Sequence, residues 1–177
     1  MASLPRTLEA DSGKLRLVEV PNGEARPAIA VAASLRLVAQ NGEERPRNSI
    51  LLAHGSGAVR RILAALLIRQ GYRVSCCSDG DAAVRFLRYA PAELVITGMV
   101  MASMDGLELI VRLRRQHGRL PIIALGEEAD RMSRIYLRYA GLAGAASTLE
   151  LPVRRETFLG EIARVLADAR HAIRGAV

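Results

Sequence analysis

Few side chains in this sequence could do chemistry, and none completes a site. His54 and Ser56 stand close together in "AHGSG" (53–57), directly after a short apolar run. A histidine there could bind a metal or accept a phosphoryl group, and a serine hydroxyl could act as a nucleophile. Neither has help beside it: no carboxylate or second histidine accompanies His54 in the motif, and no base is identifiable for Ser56. The plainer expectation is that His54 fills space and hydrogen-bonds a neighbour, while Ser56 caps the helix that follows. Cys76 and Cys77 are adjacent, so a bridge between them would be strained. His54, His117 and His171 are too scattered to give a metal-ligand spacing with them. The two thiols read as small hydrophobes ending a strand.

The carboxylates also have structural roles available. Asp79-Gly80 and Asp105-Gly106 read as turn and N-cap pairs that serve backbone N–H groups. Glu127, Glu128 and Asp130 read as first-turn acids favoured by a helix dipole. No Ser/His/Asp, Cys/His or paired-carboxylate arrangement can be placed at the strand ends, so no enzyme activity, metal or cofactor is expected.

The elements that would position these residues alternate from residue 49 onward. Apolar runs at 49–53, 72–77, 93–97, 120–125 and 145–151 predict five strands. Between and after them lie five helical patterns. "GAVRRILAALLIRQG" (57–71) places Val59, Ile62, Leu63, Leu66 and Leu67 on one expected face and Gly71 at its end. "DAAVRFLRYA" (81–90) stops before Pro91. "LELIVRLRRQHG" (107–118) is expected to turn Leu107, Ile110, Val111 and Leu113 inward. "EEADRMSRIYLRYAG" (127–141) is expected to close at Gly141, with Met132, Ile135, Tyr136 and Tyr139 on its inner side and flanks. The stretch 154–173 is expected to bury Phe158, Ile162, Val165, Leu166 and Ala169. Five β-α units with apolar strands predict a parallel sheet covered on both faces, a flavodoxin-like (βα)5 fold with strand order 2-1-3-4-5. The functional crevice of such a sheet lies beyond the carboxyl ends of its first and third strands, here "AHGSG" and "TGMVM" (97–101).

Residues 1–47 form an N-terminal extension. "KLRLVEV" (14–20) suggests a strand, and "NGEERPRN" (41–48) a charged linker. Residues 48–172 are the expected domain, and 173–177 a tail. The chain reaches its end just past the fifth helix, so a DNA-binding output domain is not expected to follow. No apolar run approaches the ~20 residues of a membrane span, and the N-terminus lacks the apolar core of a secretory signal. A cytoplasmic protein with no membrane partner is expected. The 177 residues carry a net charge of +7, almost all of it from arginine. That balance suits an acidic partner, but no basic block or interleaved aromatics mark a nucleic-acid site.

From about residue 49 to 170 the sequence resembles the receiver domain of bacterial two-component response regulators. The resemblance is carried by "ILLA…AVRRILAALLIRQGYRV…SDGDAAVRFL", "ELVIT…VM…MDGLELIVRLRRQHGRLPIIAL" and "GAASTLELP…RETFL". It implies a phosphorylation switch. In that family an acidic pair after strand 1 helps hold Mg²⁺, and an aspartate ending strand 3 takes a phosphoryl group from a histidine kinase. A Ser/Thr after strand 4 and a Lys before a proline after strand 5 bind that group. Carried over by position, the acidic pair falls on His54 and Gly55, the phosphoacceptor on Gly98, the Ser/Thr on Gly126 and the lysine on Leu151. Every one of these positions departs from the pattern. Gly98 offers no nucleophilic oxygen, and Leu151 cannot neutralise a phosphoryl group.

The expectation is therefore a receiver scaffold kept for its shape: a pseudo-receiver acting by protein–protein interaction. Arg131, Arg134 and Arg138 recur at i, i+3 and i+7 along the fourth helix, and Arg154 and Arg155 open the fifth. The resemblance places them on or beside the helix 4–strand 5–helix 5 face that the family uses for partners and dimers. A signalling kinase, another receiver, an output protein or a second copy of the chain are the expected partners. Two alternatives are a nucleic-acid-binding regulator using the arginine surface, and a small-anion or nucleotide sensor using space left beside Gly55, Gly98 and Gly126.

Overall fold

The structure, a computed structural model, describes residues 18–19, 49–127 and 131–175. The expectations for the remaining N-terminal residues, for Glu128 and Asp130, and for the last two residues lie outside it. The strands are β1 (Val18–Glu19), β2 (Ser49–Ala53), β3 (Arg73–Cys77), β4 (Leu94–Gly98), β5 (Ile122–Glu127) and β6 (Ser147–Leu151). The helices are α1 (Gly57–Arg69), α2 (Gly80–Leu87), α3 (Gly106–Gln116), α4 (Arg131–Leu142) and α5 (Arg155–Arg174). All pairings are parallel, and the sheet runs β1-β3-β2-β4-β5-β6. Counted from Ser49, this is the expected 2-1-3-4-5 order. The short β1 extends it past β3, with Val18 opposite Ser75 and Glu19 opposite Cys76.

The period of two along each strand divides the core. Leu51, Ala53, Val95, Ile122 and Ala124 face α2, α3 and α4 and pack with Phe86, Leu109, Leu113 and Leu137. Ile50, Leu52, Leu94, Ile96, Ile123 and Leu125 face α1 and α5 and pack with Leu67, Phe158, Ile162 and Val165. Adjacent Cys76 and Cys77 are split the same way, one into each layer. Neither is in a disulfide, and burial pushes the Cys77 pKa far up, which leaves that thiol unreactive.

Helix starts follow the expected chemistry. The Ser56 hydroxyl accepts from Val59 N–H at 3.4 Å, the Asp79 carboxylate from Ala82 N–H at 2.8 Å, and the Asp105 carboxylate from Glu108 N–H at 2.8 Å. Helix faces differ from expectation in three places. In α1 the buried side chains are Leu63, Ala64 and Leu67, while Ile62 is exposed. Each residue advances about 100° round a helix, so Ile62 falls off the stripe that Ala64 joins. In α3, Leu109 is buried and Val111 is exposed. In α4, Leu137 and Ala140 face the core, and Met132, Ile135 and Tyr139 are exposed. That helix also runs past Gly141 to Leu142, and Gly144, with φ +106°, makes the turn instead. No helix among the described residues is long and apolar enough to cross a membrane.

Candidate functional site at the carboxyl ends of the strands

β2, β4, β5 and β6 end together along one edge of the sheet. His54 and Gly55 follow β2, Gly98 ends β4, Gly126 lies near the end of β5, and Leu151 ends β6. Leu125 is in register with Gly98, and Leu151 with Glu127. The peptide from Leu151 to Pro152 is cis.

His54 is the centre of this edge. It is 4% exposed. Its backbone N–H donates to Cys77 O at 3.1 Å, and its Nδ1 accepts from Ser56 N–H at 3.1 Å. An accepting Nδ1 carries no proton, so the neutral ring holds its proton on Nε2. Burial lowers the His54 pKa, and the Arg60 charge lowers it further, while Glu127 opposes both. The ring lies against Gly98: a Cβ on Gly98 would sit 2.6 Å from His54 Cδ2 and 3.0 Å from Nε2. Side chain and glycine are therefore complementary in shape. The imidazole occupies the volume where a side chain at 98 would begin.

Gly55 is confined in another way. A Cβ there would come within 2.8 Å of Val100 O, from the connection between β4 and α3. That connection is itself closed tightly. Gly106 N–H donates to Met99 O at 2.9 Å, and a Cβ on Gly106 would collide with Gly98 O and, at 2.8 Å, with Met99 Cε. The Arg60 guanidinium holds the other wall, with Nη1 donating to His54 O at 2.5 Å and to Gly55 O at 3.1 Å. Beside Gly98 the His54 ring, and beside Gly55 the Val100 carbonyl, take up the places where side chains at these two positions would begin. Among the described residues no group of three or more His, Cys, Asp or Glu is placed to hold a metal ion.

The arginine surface lies on the flank. Arg134 and Arg138 are exposed on α4, with Arg134 Nε 3.6 Å from Glu150 Oε2 on β6. Arg154 and Arg155 are exposed where α5 begins. Arg131 opens α4. Elsewhere on α5, Arg164 pairs with Glu161 at 2.6 Å and with Asp168 at 2.8 Å, and the Arg164 hydrogen bond draws the Glu161 pKa down to about 2.

The family model of the response regulator receiver domain matches residues 50–162. The chain belongs to the receiver family. Among its relatives, this receiver is 30% identical over 125 residues to the response regulator GtcR of Aneurinibacillus migulanus, covering 70% of this chain and 48% of that one. It is 27% identical over 128 residues to the DNA-binding transcriptional regulator NtrC of Bradyrhizobium sp., covering 72% of this chain and 26% of that one. The chain thus spans less than half the length of these curated relatives. Among solved structures, the Vibrio cholerae chemotaxis protein CheY4 superposes with a TM-score of 0.60 at 26% identity, covering 67% of this receiver and 98% of that chain. The receiver domain of a Syntrophus aciditrophicus signal transduction histidine kinase gives 0.62 at 25% identity, covering 68% and 91%. The fold and the place in two-component signalling follow from these likenesses.

Three contributors to this receiver's architecture carry no sequence signal. Arg60 reads as one more helix-surface arginine, and its clamp on the His54 carbonyl depends on where the loop turns. The Val100 carbonyl against Gly55 is a backbone contact between residues far apart in the chain. Arg114 donates from Nε to Gly144 O at 2.9 Å and from Nη1 to Leu120 O at 2.6 Å, joining α3 to the turn before β6.

Proposed function

We propose that this receiver is a regulator that works without phosphorylation, docking a signalling kinase, another receiver or an output protein. The observation that carries the proposal is the His54 ring seated against Gly98. The family's phosphoacceptor position has no nucleophilic oxygen, and the adjoining volume is filled by an imidazole. Mg²⁺, which the family implies, does not fit these residues. It needs oxygen donors in near-octahedral array, usually anchored by carboxylates. His54 offers a nitrogen whose partner atom is already bonded to Ser56, and Gly55 faces a carbonyl with no room for a side chain. Gly126 brings no hydroxyl and Leu151 no charge to a phosphoryl group.

The docking half rests on the retained scaffold and on Arg131, Arg134, Arg138, Arg154 and Arg155. Arginine suits bidentate pairing with carboxylates. The unit that docks is residues 48–172, with 1–47 as an extension. Nucleic-acid binding is supported by net charge alone and ranks second. Incubating the full chain with acetyl phosphate and Mg²⁺, followed by intact-mass measurement, tests the proposal. The expected result is an unchanged mass; a stoichiometric, hydroxylamine-labile phosphoryl adduct would overturn it.

A further inference from the structure

At the opposite edge of the sheet, where the strands begin, α2 and α3 both end. The turns that follow them enclose a cavity of about 330 Å³. Leu87, Pro91 and Leu120 give it apolar walls, and Arg88, Tyr89 and His117 bring polar groups. Mostly apolar walls with a few convergent polar side chains are the make-up of a small-molecule site, and the volume suits one small ligand.

Both walls are pinned. Ala90 N–H donates to Phe86 O at 3.0 Å, and Ser49 Oγ donates to Pro91 O at 3.4 Å. Opposite, Leu120 N–H donates to His117 O at 2.8 Å. Arg114 Nη1 spans the same turn, donating to Gly118 O at 3.4 Å and to Leu120 O at 2.6 Å. The cavity is therefore preformed, which lowers the cost of ordering it around a ligand.

Its charge is positive. Arg88 lines it, and Arg115 and Arg119 stand on either side of His117 in the chain. All three arginines are exposed, and among the described residues none of them forms an ion pair. Glu93, one residue beyond the lining segment, is already drawn to Arg170 at 3.5 Å. Helix dipoles alone favour basic side chains at these helix ends. The cavity, with Tyr89 56% exposed on its lining, is what makes the basic corner a binding site.

Three features set the ligand's chemistry. Arginines pair with phosphate oxygens, two at a time. A tyrosine ring stacks on the face of any nucleobase. The carbonyls of the last helical turns lack partners within the helix and accept from hydroxyl and amino groups. A nucleoside phosphate carries all three counterparts. We infer that this cavity is a nucleotide site, with the phosphate on Arg88 and its neighbouring arginines and the base on Tyr89. It lies at the other end of the strands from His54 and Gly98 and uses none of the arginines proposed for docking. It therefore goes beyond the function proposed above and does not depend on it.

The test is a series of ¹⁵N–¹H spectra of the full chain titrated with AMP and with GMP, beside adenosine and ribose 5-phosphate. Saturable movement of the Arg88, Tyr89, Ala90, His117 and Leu120 amide signals is expected. The better nucleotide is expected to bind at least about tenfold more tightly than either fragment. Tyr89→Ala and Arg88→Ala each weaken it by at least about fivefold. Arg61→Ala, exposed on α1, leaves binding unchanged, and circular dichroism verifies the fold of each variant. No saturable movement with either nucleotide at about 10 mM would overturn the inference. So would ribose 5-phosphate binding as tightly as the nucleotides, which would leave only a general anion contact. Full binding by Tyr89→Ala or Arg88→Ala would overturn it too, as would movement confined to His54, Gly55 and Gly98.

Discussion

At the residue scale, the site is a pair of side-chain volumes that fit only together. Gly98 leaves room for the His54 ring, the Ser56 N–H holds the ring through Nδ1, and Arg60 holds the His54 backbone through its carbonyl. Swinging the ring away would break the Ser56 hydrogen bond. Gly98→Ala is therefore expected to cost about 1–3 kcal/mol by overpacking. His54→Ala made in the same chain should recover part of that loss, because neighbours in contact couple by about 0.5–3 kcal/mol. Urea unfolding midpoints of the two single variants and the double variant measure this. A Gly98→Ala chain as stable as the native one would show that the ring does not fill the position. The residue types at 54 and 98 are plain in the sequence. That one side chain fills the place of the other is not, because 44 residues separate them and only the β2–β4 pairing brings their strand ends together.

At the element scale, strands and caps were legible and helix faces only partly so. The apolar runs match all five core strands to within a few residues, and Ser56, Asp79 and Asp105 cap the helices they precede. α4 shows why faces are harder. It has apolar residues on two sides, and periodicity alone cannot say which side meets the sheet. Leu137 and Ala140 do, which leaves the Met132–Leu142 line outside. The elements are also joined by contacts that no local pattern encodes, Arg114 foremost. Its half-buried guanidinium, with its pKa lowered by burial, satisfies the carbonyls of Leu120 and Gly144. Arg114→Ala leaves those acceptors short of a charged donor and is expected to cost about 1–3 kcal/mol. Thermal melting of the full chain checks it, and an unchanged midpoint would mean that water replaces the guanidinium without loss.

At the scale of the whole molecule, a parallel sheet with apolar layers on both faces supports an edge where the His54 ring packs against Gly98, and a flank where arginines border an apolar line. In the receiver family the two regions are expected to communicate through phosphorylation; here the first is proposed to be fixed and the second constantly available. The most direct test is a two-dimensional ¹⁵N–¹H spectrum of the full chain, recorded before and after adding Mg²⁺ with acetyl phosphate. Superimposable amide signals at His54, Thr97, Gly98 and throughout α4 are the predicted result. Signals at Gly98 and its neighbours that move, with the change carried into α4, would contradict it.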